Sequence, residues 1–198
     1  MVTKKFYFNK IGSLVGKFFL KVFGWKTVDM RDDIKKAVAI MAPHTSTWDI
    51  WLSLAAILAS QTKLNWVGKS SLFNSPLGGL FRAIGGIPLN RDKVKDTVAA
   101  VCEEFKNRDE FIYGLAPEGS RGLKKRWRTG FYQIALKADV PVKFMFLDYR
   151  TKLCGCGLVM KMSGDIDKDL IAIREFYQTI TPKNPKLYTP IRFSEAPQ

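Results

Sequence analysis

Short apolar runs separated by helical patterns recur along this chain, and that alternation limits its fold more than any other feature of the sequence. Residues 36–42 (KAVAIMA) read as a buried strand and residues 47–60 (TWDIWLSLAAILAS) as a helix. Residues 64–68 give a second strand, and residues 75–84 a short helix introduced by Pro76. A third strand over 86–89 is followed by a helix over 93–107, a strand over 110–115 and a helix over 129–138. Residues 142–149 and 158–163 continue the sheet, residues 167–179 form a last helix, and Pro182, Pro185 and Pro190 mark an irregular tail. Strands alternating with helices predict a single α/β domain, a largely parallel mixed sheet with helices on both faces. At 198 residues the chain suits one well-packed domain. No repeat, low-complexity tract or linker divides it, and we place the domain at residues 28–198, after a distinct segment at 1–27.

That first segment fits an amphipathic helix over residues 9–25. Lys10, Lys17 and Lys21 share one narrow face, while Ile11, Leu14, Val15, Phe18, Val22 and Trp25 cover a broad apolar arc that Phe19 and Phe23 extend. Basic and aromatic residues together suggest an anchor lying in the plane of a membrane surface. Packing on the domain's own core is the other reading, and both hold if one edge packs while the other meets lipid. The interrupting lysines and the lack of a small-residue cleavage site argue against a signal peptide. A transmembrane span is not expected, because no uninterrupted apolar run approaches about 18 residues.

The formal net charge is +14. An excess of this size calls for an acidic partner: nucleic acid, an anionic membrane surface, or an acidic substrate or carrier protein. The basic residues are spread along the chain, with no zinc-finger spacing, RNP-like motif or basic heptad, so no nucleic-acid partner is expected. Cys102, Cys154 and Cys156 form no CxxC pair and read as reduced, cytosolic thiols, the last two as core residues of a strand. One histidine and scattered acids give no ligand cluster, so no metal is expected.

That histidine, His44, opens the string His44-Thr45-Ser46-Thr47-Trp48-Asp49. Imidazole, with an ordinary pKa of about 6.5, is the side chain suited to proton abstraction near neutrality. On a continuous helix, residues five apart are turned about 140° from one another. His44 and Asp49 therefore meet only if His44 lies in the loop and Asp49 in the helix's first turn, and Pro43 favours that arrangement. The carboxylate would then fix the tautomer of the ring and raise its basicity. Ser46-x-x-Asp49 also satisfies a capping box, in which Asp49 would close the helix start.

Two further loops fall at strand ends. Ala116-Pro117-Glu118-Gly119-Ser120-Arg121-Gly122 follows the 110–115 strand, on the sheet edge expected to carry His44. Glu118 and Arg121 supply an acceptor and a fork-shaped donor, and Gly119 lets backbone approach a ligand. Gly85-Gly86-Ile87-Pro88-Leu89-Asn90-Arg91 delivers a second arginine, and the two form a plausible phosphate clamp.

Taken together, these pieces resemble the glycerolipid acyltransferases, the lysophosphatidate acyltransferase or PlsC-like group. His44-x4-Asp49 resembles that family's first block, residues 85–91 its second, residues 116–121 its third (usually written FPEGTR), and Val140-Pro141-Val142 its fourth. The run Trp127-Arg128-Thr129-Gly130-Phe131 resembles the basic segment that precedes a helix in many members. Ala116 and Ser120 replace the usual Phe and Thr, and Lys143-Phe144-Met145 stands where a second proline is frequent.

The resemblance implies transfer of a fatty acyl group from a thioester to a lysolipid hydroxyl, with acyl-CoA or acyl-ACP as co-substrate and no other cofactor. His44 would be the general base and Asp49 its orienting partner. Arg91, Glu118, Gly119, Ser120 and Arg121 would bind the polar headgroup of the acceptor. That acceptor would be a lysophospholipid of the 1-acyl-glycerol-3-phosphate type. The departures leave a lyso-aminolipid of the ornithine type as an alternative acceptor, and a non-catalytic lipid-surface protein as another class. An anionic membrane surface is the expected partner, with the protein cytoplasmic and peripheral on the inner face of the cell membrane. Lys124-Lys125-Arg126 would be either a contact for acidic groups or a solvated loop. Trp48, Trp51 and residues 52–58 would line an acyl path or be plain core.

Overall fold

The apolar runs become strands whose two faces are both covered by helices. The computed structural model describes residues 10–30, 33–76, 78–83, 85–89, 97–119 and 123–193. In chain order the elements are α1 (Lys10–Val22), β1 (Lys26–Thr27), β2 (Lys36–Met41), α2 (Trp48–Ser60), β3 (Leu64–Lys69), α3 (Ser70–Phe73), α4 (Gly78–Ala83) and β4 (Gly86–Leu89). They continue with α5 (Thr97–Asn107), β5 (Phe111–Leu115), α6 (Gly130–Ala138), β6 (Val142–Asp148), β7 (Leu153–Met160) and α7 (Ile166–Gln178). The described strands form one sheet in the order β1-β7-β6-β2-β5-β3-β4. Strands β2 to β6 run parallel to one another, β7 is antiparallel to β6, and β1 is parallel to β7.

Alternation along the central strands assigns the layers. Val38 and Ile40 of β2, with Val142 and Phe144 of β6, pack against α5, α6 and α7 through Phe105, Phe131 and Ile173. The opposite face turns Leu147 and Cys154 toward Leu20 of α1 and Leu52 and Ala55 of α2. This is the α/β architecture the sequence predicts, a mostly parallel sheet with helices on both sides.

Two elements differ from expectation. The helix expected over 75–84 starts later, as α4 at Gly78, and a separate short helix, α3, precedes it and ends at Phe73. Pro76 lies between them, and proline inside a helix removes a hydrogen bond and clashes with the preceding turn. The last strand begins at Leu153, not at residue 158. Gly155 and Gly157 give residues 153–157 a poor strand signature, yet neighbouring elements demand them. A Cβ on Gly157 would lie 2.3 Å from the Phe176 ring, and one on Gly155 would lie 2.5 Å from Val28 Cγ2. Cys154 and Cys156 are buried free thiols in this strand, as expected of core cysteines. Of the helix expected over 93–107, residues 97–107 are described and helical.

Helix α1 packs by one edge only. Its buried residues are Ser13, Gly16 and Leu20. Ser13 Oγ donates to the Ala59 carbonyl at 2.9 Å, and a Cβ on Gly16 would lie 2.5 Å from the Ala55 carbonyl oxygen. The larger apolar arc faces outward, with Leu14 65% and Phe18 70% exposed and Ile11, Val15 and Val22 similarly open. Trp25 does not belong to that arc, since the helix ends at Val22 and Trp25 is buried. Residues 26–27 pair with β7 and so join the N-terminal segment to the sheet. No described helix is long and apolar enough to cross a membrane.

Candidate active site

Strand β2 ends at Met41, and the loop after it carries His44 to the start of α2, where Asp49 occupies the second helical position. His44 Nδ1 lies 3.3 Å from Asp49 Oδ2, with the aspartate only 1% exposed. The two residues meet in the way the five-residue spacing requires, one in the loop and the other in the helix's first turn. Nδ1 has no well-aligned hydrogen bond. Contacts of this kind are often loose without substrate and tighten when it binds.

The carboxylate of Asp49 is held from several sides. Oδ2 accepts the backbone N–H groups of Thr45 and Ser46, both at 2.8 Å. Oδ1 accepts the Tyr149 hydroxyl at 2.6 Å. Ser46 Oγ in turn accepts the Trp48 N–H at 3.2 Å. Both readings of Ser46-x-x-Asp49 therefore hold at once: the carboxylate closes the helix start and also faces the imidazole. Burial raises the pKa of Asp49, but the contacts with His44, Tyr149, Ser46 and Thr45 outweigh it and hold the group below its ordinary value of 3.8.

Tyr149, which follows β6, was not visible as a site residue in the sequence. Trp25 packs edge-on against its ring, with centroids 5.0 Å apart. Burial, with the hydrogen bond and charge of Asp49, raises the phenol well above its ordinary pKa, so it stays a donor. The only signal was the position of Tyr149 at the C-terminal end of a strand on the same sheet edge as His44.

Glu118 comes to the same place from the loop after β5. Its Oε2 accepts the backbone N–H of His44 at 3.0 Å, and the residue is 2% exposed. Among the described residues its other oxygen, Oε1, has no hydrogen-bond partner. Burial raises the carboxyl to a pKa of about 8; the His44 N–H opposes that shift and the nearby Asp49 charge adds to it. Gly119 adopts φ +71°, and a Cβ there would lie 2.8 Å from Arg128 Nε. Only glycine combines this backbone with the close approach of a guanidinium. Arg91, Ser120 and Arg121, the remaining expected headgroup residues, lie outside the described residues.

An apolar cavity of about 470 Å³ extends from His44 and Asp49 between the sheet and α2, with Met41, Leu54, Ile57, Trp66, Ile112 and Met145 in its wall. Of the residues expected on an acyl path, Ser53, Leu54, Ala56 and Ile57 line this space. Leu52 is core, while Trp48 and Trp51 are largely exposed. Lys124, Lys125 and Arg126 are exposed beyond the Glu118 turn. Among the described residues no group of histidine, cysteine and acidic side chains is arranged to hold a metal ion.

A histidine–aspartate pair thus stands at the C-terminal edge of a mostly parallel sheet, on the wall of an apolar cavity, in an α/β protein. The acyltransferase family model matches residues 26–143, which include His44, Asp49 and Glu118. The chain belongs to that family. Its fold is similar to the crystal structure of the 1-acyl-sn-glycerophosphate (LPA) acyltransferase PlsC from Thermotoga maritima. The two share 18% sequence identity with a TM-score of 0.52, over 85% of this chain and 75% of that one. No curated protein matches the chain.

Proposed function

We propose that the protein moves a fatty acyl group from acyl-CoA or an acyl carrier protein to the free hydroxyl of a lysophospholipid of the 1-acyl-glycerol-3-phosphate type. The observation that carries this reading is the contact of His44 with a buried, ionised Asp49 beside an apolar cavity. With Nδ1 turned to the aspartate, Nε2 is the nitrogen left to accept a proton. It takes the hydroxyl proton as the acceptor oxygen attacks the thioester carbonyl. The new C–O bond forms, the tetrahedral oxyanion collapses, the C–S bond breaks, and the imidazolium returns its proton to the thiolate. Asp49 balances the imidazolium charge in between. No acyl-enzyme is required.

The cavity would take the acyl chain. Glu118 fixes the His44 backbone, while Arg91 and Arg121, with Gly119 and Ser120, would receive the headgroup. The exposed arc of α1, continued by Trp48 and Trp51 of α2, would rest in the inner face of the cell membrane. Phe23 meets Trp48 edge-on at 5.4 Å and joins the two helices' apolar surfaces. The +14 charge would favour anionic headgroups there. Purified protein, a long-chain acyl thioester and a panel of lysolipids test the reading, with thiol release as the signal. Release that requires lysophosphatidate supports it; release indifferent to any lysolipid, or none, contradicts it.

A further inference from the structure

The chain beyond α7 returns to the active-site loop and is fastened on both sides of one lysine. The Thr181 N–H donates to Asp148 Oδ1 at 3.1 Å, and the Tyr149 N–H donates to the Thr181 carbonyl at 2.9 Å. Three residues on, the Asn184 N–H donates to Thr45 Oγ1 at 3.2 Å, and Asn184 Nδ2 donates to the Thr45 carbonyl at 2.9 Å. Thr45 is the neighbour of His44 and is itself 2% exposed. Between these ties stands Lys183, exposed, with its ammonium 4.9 Å from the Trp48 ring centre and 6.0 Å from that of Tyr149. One of those rings belongs to the outward apolar surface, and the hydroxyl of the other binds Asp49.

An exposed ammonium over two rings gains little from them. Among the described residues no carboxylate pairs with it. The ties on Thr181 and Asn184 nevertheless place its backbone at the seam between the surface suited to lipid tails and the loop that carries the base. A lipid seated with its tail on Trp48 and its hydroxyl near His44 would present its headgroup to this ammonium. We propose that Lys183 binds the anionic phosphate of the acceptor, so that the protein selects a phosphate-bearing lysolipid over an uncharged one. This rests on the acceptor reading given above. It places a headgroup contact more than sixty residues beyond the Glu118 turn, in a segment that the family's blocks do not include. A phosphate of the bulk membrane offers the same chemistry. The acceptor is favoured because the ties on either side of Lys183 run to Thr45 and to the Asp148–Tyr149 corner, and Thr45 and Tyr149 are both partners of Asp49.

The test measures binding and turnover separately. Calorimetric titration with soluble hexanoyl-glycerol-phosphate and hexanoyl-glycerol would compare wild type with Lys183→Met, which keeps the stem on Trp48, and Lys183→Arg, which keeps the charge. The expected result is a loss on the order of tenfold or more in affinity for the phosphate ligand in Lys183→Met, as for one charge-assisted contact. Affinity for hexanoyl-glycerol stays as it was, and Lys183→Arg retains most of the wild-type affinity. Equal affinity of wild type and Lys183→Met for the phosphate ligand, or no binding by either, overturns the inference. So does a Lys183→Met defect seen only in pelleting with phosphatidylglycerol vesicles, which would assign the lysine to bulk lipid. Lysine-dependent phosphate binding by a wild type that releases no thiol would instead leave this inference standing and overturn the acyl-transfer reading.

Discussion

The first turn of α2 and the turn after β5 each bury one carboxylate, and the two groups end in opposite states. Asp49 and Glu118 are almost equally inaccessible, at 1% and 2%. Asp49 accepts two backbone N–H groups and a phenol and sits beside an imidazole, and it is held below its ordinary pKa. Glu118 accepts one backbone N–H and is raised to about 8. Burial alone therefore does not decide the charge; the number of donors aimed at the carboxylate does. The division suits a base. An ionised Asp49 supports an imidazolium, while a largely protonated Glu118 at neutral pH adds no second negative charge that would hold the proton on His44.

The strongest way to break this comparison is to remove the ionised side of it. His44→Ala, or Asp49→Asn, should lower kcat about 10²–10⁴-fold in a thiol-release assay, the usual worth of positioned acid–base help. A residual rate within a few-fold of wild type in His44→Ala would end the general-base assignment.

Next in size is Tyr149→Phe, which takes one donor from Asp49 without opening a cavity. A hydrogen bond to a charged group contributes about 1.5–3 kcal/mol. Denaturant unfolding at neutral pH should show a loss of that order. The loss should vanish at low pH, because a lowered carboxylate pKa stabilises the fold above 3.8 and that contribution goes as pH falls through the folded value. The same variant should lose on the order of tenfold in kcat with little change in KM and with a displaced pH profile. A role limited to packing would leave the profile where it is.

The protonated side is probed by Glu118→Gln. A carboxyl raised from 4.5 to about 8 costs the fold increasing stability as pH climbs through that interval. Wild-type unfolding free energy should therefore fall from about pH 4.5 to 8 relative to the glutamine variant, which lacks this slope. Parallel curves for the two proteins would contradict the raised pKa.

The smallest effect expected on the fold is that of Phe18→Asp, at a residue 70% exposed. Its unfolding midpoint should stay near wild type while co-sedimentation with anionic vesicles drops. Unchanged pelleting would remove the α1 arc from the membrane-facing surface.

Much of this was legible in the sequence where local chemistry decides it. The strands β2, β5 and β6 are largely apolar because both their faces are covered, with Lys143 of β6 a buried exception, and His44 and Glu118 follow strand ends, with Asp49 in the next helix's first turn, where the blocks place them. Helix geometry set the condition under which His44 and Asp49 could meet, and Pro43 favoured it, while the capping-box role of Asp49 stayed open beside it. What escaped reading was set at long range. Tyr149 reaches Asp49 across 100 residues and Asn184 reaches Thr45 across 139, separations over which no local pattern operates. The start of β7 was hidden because Gly155 and Gly157 answer to Val28 and Phe176, not to strand propensity. Periodicity left open which edge of α1 would pack; the helix packs through Ser13 and Gly16, whose small size permits backbone contact, and leaves its larger apolar arc outward.

The central claim is that one of two neighbouring buried carboxylates is charged at neutral pH and the other is not. A carboxyl ¹³C NMR titration, with resonances assigned by Asp49→Asn and Glu118→Gln, measures it directly. The account predicts that Asp49 titrates below 3.8 and Glu118 near 8. Two carboxyls titrating together in the ordinary acidic range, or an Asp49 still protonated at neutrality, would contradict it.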